Sequence, residues 1–213
     1  MLYLASAFVA YLLGSIPWGY LAGKINGVDL HKEGSGSTGA TNALRVLGKS
    51  WGYTVFSLDV LKGWLAVMLA FELGGRFFAT APSDIIPVGV VAAIFAVVGH
   101  SYPVWLRFQG GKGIATSAGI MLALFPWPVF TSGVAIWLVL FYSTRFVSVA
   151  SLGAAVVLPT SSAVLWWTGD CDAIRTAIAA TMCALAVWRH KSNISRLMIG
   201  TEKRFEKKPK PAA

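Results

Sequence analysis

An all-α, polytopic integral membrane protein of about seven transmembrane helices is the architecture this 213-residue chain predicts, with its amino terminus outside and its carboxy terminus in the cytoplasm. Three observations lead there. The chain is 56% hydrophobic and only 13% charged, with a mean hydropathy of +0.65, far more apolar than a soluble domain of this size. Its apolar residues fall in runs long enough to cross a bilayer, which takes about 20 residues. When those runs are threaded in order, 15 of the 18 Lys and Arg residues lie on one side, the side the positive-inside rule assigns to the cytoplasm.

The first run, Leu2 to Ala22, carries no charge, and it lacks the basic start and small-residue cleavage site of a secretory signal, so it reads as a retained span. Trp51 to Phe71 is the second; Asp59 and Lys62, three apart within it, read as a mutual structural pair, because an unpaired charge in hydrocarbon is costly. Ile85 to Leu106 is the third, ending near His100, which reads as fixing the turn at Ser101-Tyr-Pro103. Ile114 to Thr144 is too long for one crossing, and Pro126-Trp-Pro128 breaks its middle, so two short helices in a hairpin are expected. Phe146 to Thr168 and Ile174 to Trp188 complete the set, with Arg175 expected to snorkel toward the outer interface. Residues 1–203 thus read as a single transmembrane domain and 204–213 as a basic, disordered cytoplasmic tail drawn to anionic lipid. No internal repeat of the kind that builds many transporters is visible.

Three glycine-rich polar segments interrupt the apolar runs, and the span count puts all three on the cytoplasmic face. The first, Gly34-Ser-Gly-Ser-Thr-Gly-Ala-Thr-Asn-Ala-Leu-Arg45, offers hydroxyls and amides from Ser35, Ser37, Thr38, Thr41 and Asn42, and a guanidinium from Arg45 that can clamp a phosphate. Gly34 and Gly36 let the backbone approach an oxygen closely. In the second, Gly110, Gly111 and Gly113 surround Lys112 directly before an apolar helix, a setting for anion binding by N–H groups and a helix N-terminus. It is not a Walker A loop, since Leu106 stands at the first glycine position and Gly113 where Ser or Thr would bind magnesium. The third places Asn193 and Arg196 at helical spacing with His190 beside them, whereas Arg189 and Lys191 read as basic residues at a membrane boundary. His31 has no supporting motif, and Cys171 and Cys183 form no Cys-x-x-Cys pair, so neither a disulfide nor a metal site is expected.

Taken in order, Gly-Ser-Gly-x-x-Gly-Ala-Thr-Asn-x-x-Arg, then Gly-His-x-x-Pro with Gly-Gly-Lys-Gly-x-Ala-Thr, then Arg-His-x-x-Asn-Ile-x-Arg-Leu-x-x-Gly-x-Glu, the segments resemble the bacterial acyl-phosphate-dependent glycerol-3-phosphate acyltransferases from Gly34 to Glu202. The resemblance implies a seven-helix enzyme of the bacterial inner membrane with a cytoplasmic active site and no cofactor. It implies functional roles for Ser35 and Arg45, for Lys112, and for His190 and Asn193, with substrate contacts from Gly34, Gly36, Ser37, Thr41, Asn42, Gly110, Gly111, Gly113 and Arg196. Ser37 departs from the family pattern, which usually has asparagine there.

The implied reaction joins acyl phosphate to the 1-hydroxyl of glycerol 3-phosphate, giving lysophosphatidate and phosphate. The implied metabolic partner is a soluble enzyme that makes acyl phosphate. Both substrates are anions, so at least two cationic centres are needed, which Arg45 and Lys112 supply with Arg196 as a third. The His-x-x-x-x-Asp pair of another acyltransferase class is absent: Gly36, Trp105 and Ser195 stand five after the three histidines. Direct transfer is therefore expected over an acyl-enzyme on Ser35, with His190 or a substrate phosphate as proton acceptor. The competing class is a transporter of phosphate-bearing solutes, which the absent repeat and odd span count disfavour. Nucleic acid is excluded, because the net charge of +9 is dispersed among apolar runs.

Overall fold

The computed structural model describes residues 1–77 and 85–205. The tail expected at 204–213 therefore lies outside the described residues from 206 onward. Among the described residues ten α-helices follow one another: α1 (Leu2–Gly14), α2 (Trp18–Ile25), α3 (Ala40–Val46), α4 (Lys49–Phe77), α5 (Ile85–Ser101), α6 (Ile114–Leu124), α7 (Trp127–Thr144), α8 (Val147–Thr168), α9 (Ala173–Arg189) and α10 (Lys191–Met198). Among the same residues five segments are long and apolar enough to cross a membrane: Leu2–Ile25, Lys49–Phe77, Ile85–Leu106, Trp127–Thr144 and Val147–Thr168.

The expected first span lies within the apolar segment Leu2–Ile25 but is not one continuous helix. After Gly14 the Ile16 N–H falls back on the Leu13 carbonyl, Pro17 has no N–H to continue the helix, and α2 restarts at Trp18. The freed Ile16 carbonyl takes a hydrogen bond from Lys62 Nζ at 2.9 Å, so the lysine in α4 serves the broken helix as well as Asp59, whose Oδ1 lies 2.8 Å away. The long apolar stretch divides as its prolines dictate: α6 stops at Leu124 and α7 begins at Trp127. Arg175 has protein partners of its own. Its Nε donates to the Leu124 carbonyl at 2.6 Å and its Nη1 to Asp172 at 2.6 Å, closing the exposed end of α6.

Helix α1 packs on α5, α5 and α6 on α4, α7 on α8, and α8 on α9. The core is built from small residues, including Ala10, Ala66, Ala92, Ala93, Ala96 and Ala179, with Val67, Val88, Ile120 and Met121 filling between them. Small residues suit helices that cannot gain from burying more hydrocarbon in hydrocarbon and associate by close contact instead. At the α4–α6 crossing the backbones touch: a Cβ on Gly63 would strike the Thr116 carbonyl, and one on Gly119 the Val60 carbonyl. This contact fixes the start of α6, and with it the glycine loop before it, against the middle of α4.

Candidate active site

The three polar segments converge on one cavity of about 570 Å³. Its polar wall comes from the loop before α3, from α3, from the loop before α6, from the α9–α10 junction and from the chain after α10. Its apolar wall comes from Tyr53 and Phe56 of α4, Ile114 of α6, Trp137 and Phe141 of α7, and Val147 of α8. Ser35, Arg45, Lys112, His190 and Asn193 all line it, as do Gly34, Ser37, Thr41, Asn42, Gly113 and Arg196. Gly36, Gly110 and Gly111 do not; the last two instead line a small adjoining cavity of about 10 Å³ beside Asp59, Lys62 and His100.

The first loop is wound around Asn42. Its Oδ1 accepts the Ser35 N–H at 2.8 Å, and its Nδ2 donates to the Leu30, Glu33 and Ser37 carbonyls at 3.1, 3.0 and 2.8 Å. The side chain, buried and fully used by the backbone, shapes the loop that presents Ser35. Gly34 and Gly36 hold φ of +65° and +70°, and a Cβ on Gly34 would strike Asn42 Oδ1. Ser37 Oγ accepts the Gly39 N–H at 3.2 Å, a turn bond open to serine and asparagine alike, so the departure at this position preserves the turn.

Around the α9–α10 junction runs a chain of charge-assisted hydrogen bonds. Lys112 Nζ donates to Asn193 Oδ1, Asn193 Nδ2 to Glu202 Oε1 at 2.6 Å, and Arg196 Nε to Glu202 Oε2 at 2.7 Å. Glu202 belongs to the third motif but has no role assigned from sequence; it meets Asn193 and Arg196, nine and six residues before it, only where the chain folds back after α10, and a lone glutamate beyond the last span gives no local signal of that. Burial works to raise its pKa, but its hydrogen bonds and the charge of Arg196 together hold it below the ordinary carboxylate value. Burial pushes the Lys112 ammonium down to about 8, with Glu202 opposing and the neighbouring arginines assisting. Burial likewise takes His190 down to about 4, with Lys112 adding to the effect, so the imidazole is neutral at pH 7. His190 Nδ1 lies 2.7 Å from the Ala186 carbonyl, which can only accept; Nδ1 therefore carries the proton and Nε2 the lone pair.

His100 is more than a turn residue. Its Nδ1 stands 3.5 Å from Asp59 Oδ1, and a Cβ on Gly111 would strike its Nε2, so it forms the floor beneath the glycine loop.

The model of the family described as glycerol-3-phosphate acyltransferase matches residues 4–200 of this chain. The chain belongs to that family. It is 45% identical over 203 residues to the glycerol-3-phosphate acyltransferase of Synechococcus elongatus, covering 94% of this chain and 93% of that one. To the enzyme of the same description from Rhodopseudomonas palustris it is 39% identical over 208 residues, covering 97% and 98%. Among solved structures it resembles PlsY, an integral membrane glycerol 3-phosphate acyltransferase, in its glycerol 3-phosphate form, with a TM-score of 0.83 at 36% identity and 96% of each chain covered. The lysophosphatidic acid form of PlsY matches with a TM-score of 0.80 at 37% identity. Membership makes this chain a multi-pass membrane acyltransferase, and the transporter alternative falls away.

Proposed function

We propose that the cavity transfers an acyl group from acyl phosphate to the 1-hydroxyl of glycerol 3-phosphate, releasing lysophosphatidate and inorganic phosphate. The observation that carries this is one cavity lined by two opposite chemistries. Four cations, Arg45, Lys112, Arg196 and Lys203, share its lining with the apolar surface of Tyr53, Phe56, Trp137 and Phe141. An acyl phosphate has the matching chemistry, with a dianionic head for the cations and an alkyl chain for the apolar surface. Glycerol 3-phosphate calls on the cations alone. The relatives share the acceptor substrate in name, and a PlsY form with lysophosphatidic acid supports the product.

In this reading Arg45 and Lys112 hold the two phosphates, and Ser35 and Asn193 orient the acceptor. The hydroxyl oxygen attacks the acyl carbonyl carbon, and the carbon–oxygen bond to phosphorus breaks from the tetrahedral intermediate. His190 Nε2 accepts a hydrogen bond from the attacking hydroxyl. A base titrating near 4 takes a proton poorly at neutral pH, so the proton passes to the departing phosphate, the stronger base. An acyl phosphate is already activated, and no acyl-enzyme on Ser35 is required. In this reading the cavity faces the cytoplasm at a bacterial inner membrane, an orientation the positive-inside distribution supports, and a soluble enzyme supplies the donor.

The test is donor choice. Purified protein in lipid receives glycerol 3-phosphate with acyl phosphate, acyl-CoA or acyl carrier protein in separate reactions, and lysophosphatidate is quantified. Product from acyl phosphate alone supports the reading; equal or better turnover with a thioester donor overturns the donor assignment.

A further inference from the structure

We propose that Arg189 is a positioning residue, clamping the backbone of the glycine loop so that Lys112 points into the anion site. At the sequence level it read as one of several basic residues at a membrane boundary. Its guanidinium is committed elsewhere: Nε donates to the Gly111 carbonyl at 3.1 Å, and Nη2 donates to the Gly110 and Gly111 carbonyls at 2.9 Å each. Its Cζ also sits 4.8 Å from the centre of the Tyr102 ring. Both carbonyls it holds immediately precede Lys112 in the chain.

The loop needs an external clamp. It lies outside regular helix, and it follows Arg107 and Phe108, which hold φ of 50° and 63°, the left-handed region that side-chain-bearing residues seldom adopt. It then turns through Gly113 at φ 81° into α6. His100 meets Gly111, and the Gly111 N–H donates to the His100 carbonyl at 3.1 Å. Arg189 grips the Gly110 and Gly111 carbonyls. Held by both, the loop delivers Lys112 Nζ to Asn193. Arg189 leads directly into His190, so the same clamp ties the junction carrying His190 and Asn193 to the loop carrying Lys112.

A planar fork meeting two successive carbonyls is a task for arginine; the compact ammonium of lysine supplies equal charge without that geometry. This separates clamping from simple attraction of anions. The inference rests on Lys112 being a phosphate ligand, and the experiment distinguishes the two failures. Steady-state kinetics with glycerol 3-phosphate are measured for the wild type, Arg189→Ala, Arg189→Lys, Lys112→Ala and the Arg189→Ala/Lys112→Ala double variant, with thermal melting of each to confirm folding. Arg189→Ala and Arg189→Lys are both expected to lose about tenfold in kcat/KM, as one to two hydrogen bonds would give. Their losses divide between kcat and KM in the same proportion as for Lys112→Ala. The double variant is expected to be no worse than Lys112→Ala alone within about twofold, because Arg189 acts through Lys112. Where Lys112→Ala turns over too slowly to follow, calorimetric binding of glycerol 3-phosphate completes the same cycle. Full activity in Arg189→Lys, or losses that multiply in the double variant, would overturn the clamp. An unaffected Lys112→Ala would instead overturn the assignment of Lys112.

Discussion

Two charged clusters lie side by side in this protein, sharing His100 and Asp59 at their boundary, and they are built on opposite principles. In the inner one, Asp59, Lys62 and His100 are 2%, 3% and 8% exposed. There Lys62 has a carboxylate at 2.8 Å and a carbonyl at 2.9 Å, so charge balances charge. In the outer one, Arg45, Lys112, Arg196 and Lys203 line the cavity with Glu202 and a neutral His190, and the other carboxylate there, Asp59, is already paired with Lys62. Four cations against the one carboxylate of Glu202 leave an unmatched positive excess at the wall of the cavity. Burial of charge is therefore no guide to function here, and imbalance of charge is. The balanced cluster holds α1, α4 and α5 together, while the unbalanced one has the charge to suit an anion, as the proposed reaction requires.

The contrast breaks first at Asp59. Asp59→Ala strands the Lys62 ammonium in the bundle and should destabilise the fold by about 3–5 kcal/mol. Adding Lys62→Met should recover part of that loss, in unfolding measured in detergent or lipid. If the double variant is as unstable as the single one, the inner cluster is not a balanced pair. Lys112→Ala should do the reverse, leaving the melting temperature unchanged while kcat/KM for glycerol 3-phosphate falls roughly 10- to 150-fold, the worth of one charge-assisted hydrogen bond.

Titration sharpens the comparison further. Burial places Lys112 at about 8, and its neutral amine has no charge to attract a phosphate. Activity as kcat/KM should fall as pH rises through about 8, and bound anion should move the corresponding limb in kcat upward. Lys112→Arg should remove the limb, because guanidinium stays charged. A limb that persists in Lys112→Arg would place the titration on another group. For His190, which titrates near 4, the imidazole should remain neutral with the proton on Nδ1 from pH 7 down to 5; nitrogen NMR showing a midpoint near 6.5 would contradict its buried, carbonyl-bound geometry. The smallest effect is expected at Asn42, where alanine removes the loop's internal support. A rise in KM of about three- to tenfold is expected, with kcat little changed.

Much of this was legible from the sequence, and what was not had specific causes. The apolar runs and Pro126-Trp-Pro128 located the helices, because spans and proline breaks are local properties. The three polar segments announced a common site through residue type and order. The break at Ser15-Ile16-Pro17 was missed because hydropathy does not register a lapse in backbone pairing, and its carbonyl partner, Lys62, is 46 residues away. That Arg175 bonds the Leu124 carbonyl has no sequence signature, because the two lie 51 residues apart. Nor does the sequence signal that the Asn42 amide, expected to contact substrate, is taken up by four backbone hydrogen bonds of its own loop. Arg189 looked like a boundary residue for the same reason: a side chain that binds backbone carbonyls 78 and 79 positions away is invisible until the chain folds.

The most direct measurement is phosphorus NMR of one reaction: purified protein in lipid vesicles with acyl phosphate and glycerol 3-phosphate, followed in parallel with Lys112→Ala. Acyl phosphate and glycerol 3-phosphate should disappear together as lysophosphatidate and inorganic phosphate grow in equal amounts, with the variant much slower. Phosphate released without lysophosphatidate, or no change in either substrate with folded protein, would contradict the transfer reaction assigned to the cavity.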